Sequence, residues 1–206
     1  AEAEAFSIDD HETTEIDDAF SVARLADGRI RAGVHIAAPA LFFGRDHRLE
    51  ALARERLSTV YFPGGKITML PEAAIAEATL SAGREVAAAS LYLDLDPDTL
   101  GIVATASRVE RVRIATNLRI AELETRLHAE SLAAGRVEGE HGEDLVLLWR
   151  LACKLRAARG AGEDVAGERA GKPKAEKLDY TFRVDAGRVT IEPRPRGTPI
   201  DVLVSE

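Results

Sequence analysis

The chain is poor in sulfur and in aromatic rings. Its 206 residues include one cysteine, one methionine, one tryptophan, three tyrosines and six phenylalanines. With Cys153 as the lone cysteine, no internal disulfide is possible, which fits a reducing compartment; a cytoplasmic location is expected. The sequence also lacks any apolar run long enough to span a bilayer, so no membrane partner is expected. The opening Ala1-Glu2-Ala3-Glu4 has neither a basic n-region nor an apolar h-region, so it does not read as a signal peptide. Positive charge is in deficit too: 27 Lys and Arg face 35 Asp and Glu, a formal net charge of −8. Taken alone this argues against nucleic acid, whose binding is mostly phosphate neutralisation by Lys and Arg. The deficit is partly local, however, in an acidic cluster that bound cations would offset. Arginine dominates the basic set and suits bidentate phosphate contacts, so charge by itself decides nothing.

What is present is enough for a folded protein. The composition is 46% hydrophobic and 30% charged, which supports a sizeable core over a length that suits one large domain or two small ones.

Six of the ten residues from Asp9 to Asp18 carry a carboxyl group. Acidic runs are usually solvated loops. Here the acids straddle Phe6, Ile8, Ile16, Ala19 and Phe20, which read as strand ends entering a core. In a strand, Glu15 and Asp17 point to one face and Asp18 to the other, and a loop from Asp9 to Glu15 can fold back and bring Asp9 beside them. Carboxylates crowded this closely repel one another unless a cation holds them. Mg²⁺, which prefers a few carboxylate oxygens and leaves room for substrate phosphates, is the obvious one. The cluster does not follow the EF-hand pattern, because the glycine and terminal glutamate are missing at the required offsets.

Along the chain, strands are predicted at Phe6–Ile8, Ala19–Leu25 and Arg29–Ala37, the last two joined by an Asp27-Gly28 turn. Helical spacing runs from Asp46 to about Leu57 and from Pro71 to about Leu80, with Tyr61-Phe62-Pro63-Gly64-Gly65 as a break between them. Strands follow at Ala87–Asp96 and Ile102–Ile114, then helices at Asn117–Leu132 and Glu143–Arg159. In the last helix Leu145, Leu148, Trp149, Ala152 and Leu155 form an apolar stripe, so Trp149 and Cys153 are expected in the core. Residues 160–177 are Gly-, Lys- and Glu-rich and read as a flexible loop. A final hairpin, Tyr180–Val184 with Val189–Glu192, turns at Ala186-Gly187. The expected class is α+β: a mixed, largely antiparallel sheet with helices packed on it.

Several of these stretches together resemble a known family. Ser7-Ile8-Asp9 followed by Glu15-Ile16-Asp17-Asp18-Ala19 is similar to the acidic signature of the catalytic (RNB) domain of the ribonuclease II family. Gly33-Val34-His35-Ile36-Ala37, Arg56-Leu57-Ser58-Thr59-Val60-Tyr61-Phe62-Pro63 and Met69-Leu70-Pro71-Glu72 resemble three further family blocks in the same order. The match is clear over roughly residues 6–95 and loose beyond. The resemblance implies a Mg²⁺-dependent exoribonuclease, using one or two ions, that degrades single-stranded RNA from its 3′ end to nucleoside 5′-monophosphates. Asp9, Glu15, Asp17 and Asp18 match the four acidic positions. Asp9 and Asp18 are expected as direct metal ligands, Asp17 as the group orienting the water or a second metal, and Glu15 as a ligand directly or through water. Tyr61 matches the tyrosine that stacks on terminal bases. Arg56 is expected either at a phosphate or paired with Glu50 or Glu55. His35, in an apolar strand, is expected to be a hydrogen-bonded core histidine, and Asp10 and Glu12 to be solvated loop acids.

The chain departs from the family in Glu15 and in Ala38, both usually Asp, and it has no clear counterpart of a second stacking aromatic. Val202-Leu203-Val204-Ser205-Glu206 resembles the start of a long family helix. The chain is therefore expected to be the N-terminal portion of a catalytic domain, inactive alone, whose remainder and oligonucleotide-binding domains are its partners. Three other readings remain: a catalytically silent RNA-binding relative, a metal-binding protein without catalysis, and an α+β interaction module.

Overall fold

The computed structural model describes residues 4–11, 13–163, 178–195 and 197–205. The chain divides into two compact units, residues 1–121 and 122–206. The expected 160–177 loop is helical through Glu163, and the rest of that stretch lies outside the described residues, as does Glu12.

The first unit is built on a closed five-stranded barrel. Its strands are β1 (Ala5–Asp9), β2 (Asp18–Arg24), β3 (Ile30–Ala37), β6 (Glu85–Leu95) and β7 (Ile102–Arg119), in the order β1-β2-β3-β6-β7. All neighbours are antiparallel except β1 and β7, which close the barrel in parallel. Between β3 and β6 come α1 (Arg48–Arg56), a hairpin of β4 (Val60–Phe62) and β5 (Gly65–Ile67), and α2 (Glu72–Ala78). The α+β reading with a mostly antiparallel sheet therefore holds. Closure is the addition, and a sheet closed on itself has no edge left to pair with other chains.

Closure also explains one correction. Local pattern predicts a helix from Asn117 to Leu132, but β7 runs on to Arg119. Its last residues pair with β1 (Ser7 with Asn117, Ile8 with Leu118, Asp9 with Arg119), a partnership more than a hundred residues distant in sequence. The remainder is two short helices, α3 (Ile120–Glu124) and α4 (Ala129–Ala133). Between them the Thr125 hydroxyl donates to the Glu122 carbonyl (2.7 Å), and His128 and Ser131 form a reciprocal cap that starts α4 afresh.

Along the strands, alternation puts Ala19, Val86, Ala88, Val112 and Ile114 into a buried cluster with Ala5, Ile16 and Leu80. On the same faces lie Ser21, His35 and Ser90. His35 is 1% exposed, and its Nδ1 and Nε2 each lie 2.8 Å from a serine hydroxyl, Ser90 and Ser21. This is the expected core histidine. Gly33 leaves it room, since a Cβ there would meet Ser21 Oγ at 2.5 Å and His35 Nε2 at 2.9 Å.

The second unit holds α5 (Gly142–Glu163), the hairpin β8 (Leu178–Asp185) and β9 (Arg188–Pro195), and α6 (Pro199–Ser205). Helix α5 buries Leu145, Val146, Leu148, Leu151 and Ala152, and α6 buries Ile200, Val202 and Leu203. Trp149 and Cys153, expected in the core, are only half-buried at the flank of the α5 stripe. Where α5 begins, Gly142 lets the Val137 carbonyl pass, which would lie 1.9 Å from a Cβ. No helix among the described residues is long and apolar enough to cross a membrane.

Candidate active site

The acids assemble at one end of the barrel because of where strands stop and start. Asp9 is the last residue of β1, Asp18 the first of β2, and Asp17 immediately precedes it. Phe6 pairs with Phe20 across these antiparallel strands, and continuing that register carries Asp9 toward Asp17. Asp9 is fixed from behind. The buried Ser7 hydroxyl donates to its Oδ2, and Asn117 Nδ2 donates to Ser7 Oγ and to the Leu80 carbonyl, both at 2.9 Å.

Electrostatics shows the crowding. Burial pushes the Asp9 carboxyl above its ordinary value; the Ser7 hydrogen bond and Arg119 oppose this, while the charges of Asp18 and Asp17 add to it. Asp17 is raised by burial first, then by Glu15 and Asp18, against the pull of Lys66. Asp18 is raised by burial. The carboxylates are all hard oxygen donors, and Asp9 and Asp17 each feel other acids of the cluster. A divalent cation fits this donor set, because it would remove the repulsion. Among the described residues, no three His, Cys, Asp or Glu side chains gather into a ready-made metal-ligand group. Asp10 is exposed, as expected of a loop acid.

Glu15 is placed differently. Its side chain is 9% exposed, and Lys66 Nζ lies 2.7 Å from its Oε1. That contact is an ion pair by distance but not a directed hydrogen bond, so Oε1 has no hydrogen-bond donor. Thr59 Oγ1 donates to Oε2 at 3.3 Å. The backbone around it is stitched to the chain after α2 and to the end of β3: Ile16 N–H donates to Thr79 Oγ1 (2.8 Å), Leu80 N–H to the Ile16 carbonyl (2.9 Å) and Ala37 N–H to the Asp17 carbonyl (2.8 Å).

A cavity of about 390 Å³ opens beside these acids, lined by Glu15 and Asp17 and by Tyr61, Leu57, Met69 and Ile75 among others. Tyr61 lies on β4, and its side of the hairpin is open to solvent (69% exposed). An aromatic ring left in solvent beside a carboxylate-lined cavity has the shape and polarity on which a flat ligand can stack. Arg56 donates to the Thr68 carbonyl at 2.8 Å and braces the loop before α2; among the described contacts it forms no ion pair with Glu50, which pairs with Arg54 instead, or with Glu55.

Sequence reasoning brought Asp9, Glu15, Asp17, Asp18 and Tyr61 to one region. It missed Lys66, Thr59, Ser7, Asn117 and Arg119. Lys66 had a usable signal. Pro63-Gly64 is a two-residue turn, with Gly64 at φ 88°, so Tyr61-to-Ile67 is a hairpin rather than a break, and Tyr61 faces Lys66 across it. Arg119 and Asn117 carried none, since only barrel closure brings them to Asp9 and Ser7.

Known proteins are similar to this chain. The RNB domain family matches the chain over residues 1–206. A Synechocystis protein named "Uncharacterized ribonuclease sll1290" is 39% identical over 92 residues, covering 44% of this chain and 14% of that protein. Exoribonuclease 2 of Edwardsiella piscicida is 42% identical over 65 residues, covering 32% of this chain and 10% of that protein. Among solved structures, Mycoplasma genitalium RNase R in complex with ribose-methylated single-stranded RNA superposes with a TM-score of 0.71 at 14% identity, covering 98% of this chain and 30% of that one. Yeast Ssd1, a pseudonuclease, superposes with a TM-score of 0.64 at 23% identity, covering 77% of this chain and 18% of that one. The structural likenesses, at these identities, establish the fold. The matched segments are a small part of the curated relatives.

Proposed function

This chain belongs to the RNB-domain family, a family of exoribonucleases, and on that premise we propose that it carries the carboxylates and the base platform of a 3′-to-5′ exoribonuclease acting on single-stranded RNA. The observation that carries this reading is the single cavity bordered by both Asp17 and Tyr61. A terminal base stacked on Tyr61 places its phosphodiester toward the aspartates, and stacking accepts any base because each has a π-face. Asp9, Asp17 and Asp18 are the carboxylates that would hold one or two Mg²⁺ ions, and Asp17 would orient the attacking water. A bound magnesium ion supplies a Lewis acid and a more acidic water. In the reaction the water oxygen bonds to phosphorus, the P–O3′ bond breaks, and the departing 3′ oxygen takes a proton. The products are a nucleoside 5′-monophosphate and an RNA one residue shorter.

The test uses the full-length protein with 3′- and 5′-labelled single strands, in Mg²⁺ or in EDTA, beside Asp17→Asn. Release of 5′-monophosphates from the 3′ end is expected to need Mg²⁺ and to fall at least about a hundredfold in the variant. The second reading is a silent RNA-binding relative, favoured by the Lys66 ammonium on Glu15. RNA binding without degradation by the unmutated protein would select it.

A further inference from the structure

From Ala38 to Met69 not one residue is buried, so no buried apolar side chain fastens the hairpin that bears Tyr61. Polar contacts do, and they converge on one side chain. Lys66 stands opposite Tyr61 across the hairpin, with its ammonium 6.0 Å from the centre of the Tyr61 ring. The same ammonium lies 2.7 Å from Glu15 Oε1 and donates to Thr14 Oγ1 at 2.9 Å. On the other flank, Thr59 Oγ1 donates to Glu15 Oε2 and accepts from Met69 N–H at 3.1 Å. Each oxygen of Glu15 therefore faces a residue that brackets the hairpin.

We propose that Lys66 is a positioning residue which, by clasping Glu15 and Thr14, fixes the Tyr61 platform relative to Asp17, and that Glu15 anchors this hairpin instead of ligating metal. The physical reason is charge balance. A carboxylate this enclosed needs a counter-charge nearby, and Lys66 supplies it from within the chain. A Glu15 so neutralised gains less from a divalent cation than Asp9, Asp17 or Asp18, none of which has a cationic side chain this close among the described contacts. The distance between a stacked base and the aspartates is then set by one ion pair, and loosening it changes how the RNA end is held more than the bond-breaking step.

The role of Tyr61 rests on the proposed function; the clasp itself does not. The test therefore reads them separately, in the full-length protein. Hydrogen exchange over residues 59–69, without RNA, is expected to rise about tenfold in Lys66→Met and in Glu15→Gln, the scale of one hydrogen bond to a charged group. It should rise no further in the double variant and return toward the parent in Lys66→Arg. Titration with Mn²⁺ alone should find Glu15→Gln within about twofold of the parent, while Asp17→Asn binds at least about tenfold more weakly. Binding of an RNA with 2-aminopurine at its 3′ end should weaken about tenfold in Lys66→Met, through KM and not kcat in turnover, and Tyr61→Ala should lose the stacking signal. Unchanged exchange in Lys66→Met, or Mn²⁺ binding as weak in Glu15→Gln as in Asp17→Asn, overturns the proposal. If Tyr61→Ala leaves the 2-aminopurine signal intact, the stacking reading falls while raised exchange still upholds the anchor.

Discussion

Phe6 and Phe62 are the same side chain in two regions held together by different physics. Phe6 is fully buried on β1, with its ring centroid 6.3 Å from that of Phe20, inside a barrel whose register is fixed strand by strand. Phe62 is half exposed at the tip of the β4–β5 hairpin, in a segment with no buried residue from Ala38 to Met69. The barrel gains from water leaving apolar surface, so many residues share its stability. The segment depends on a few directed contacts, chiefly Lys66 and Thr59 on Glu15 and Arg56 on the Thr68 carbonyl. A region of that kind can present an aromatic ring to a ligand, which a packed core cannot do, and local opening there costs little.

The comparison can be broken by substitution. Phe6→Ala should lower stability by about 3–5 kcal/mol, the scale for emptying a fully buried aromatic site, as read by urea unfolding. A loss under about 1 kcal/mol would mean the barrel is not the stable region.

Next in size is a pH effect confined to the barrel. Burial depresses the His35 pKa from 6.5 to about 4. The unfolded chain therefore binds a proton that the folded chain refuses between those values. Stability from this group is whole above about pH 6.5 and declines as pH falls toward 4, by at most about 3 kcal/mol. Asp9, Asp17 and Asp18 act in the opposite sense, since their raised values let the folded chain take protons sooner as pH falls. A His35→Gln variant should flatten the decline between pH 6.5 and 4; an identical profile in the variant would show that His35 does not cause it. The smallest effect is expected at the hairpin. Phe62→Ala should cost under about 1 kcal/mol of global stability, and a loss as large as that of Phe6→Ala would erase the distinction between the two regions.

Local sequence carries much of this protein because its strands obey period-2 burial and its turns carry their own chemistry. Strands at Phe6–Ile8, Ala19–Leu25, Arg29–Ala37, Ala87–Asp96 and Ile102–Ile114 could be placed from local apolar pattern and turn residues, and the apolar flanks of the acidic run marked Asp9, Asp17 and Asp18 as strand-end carboxylates. The ordered blocks also carried the family, because the motifs that resemble it are short runs of contiguous residues. Tertiary structure decided what depends on partners distant in sequence. Barrel closure drew 117–119 out of a predicted helix and set Asn117 behind Ser7 and Asp9. The fold-back of the hairpin gave Glu15 a lysine 51 positions away, by the difference of their numbers. Periodicity reports which face of an element is buried; it holds no information on which charge will meet which across a folded chain, since an ion pair is set by distance in space and not by spacing in sequence.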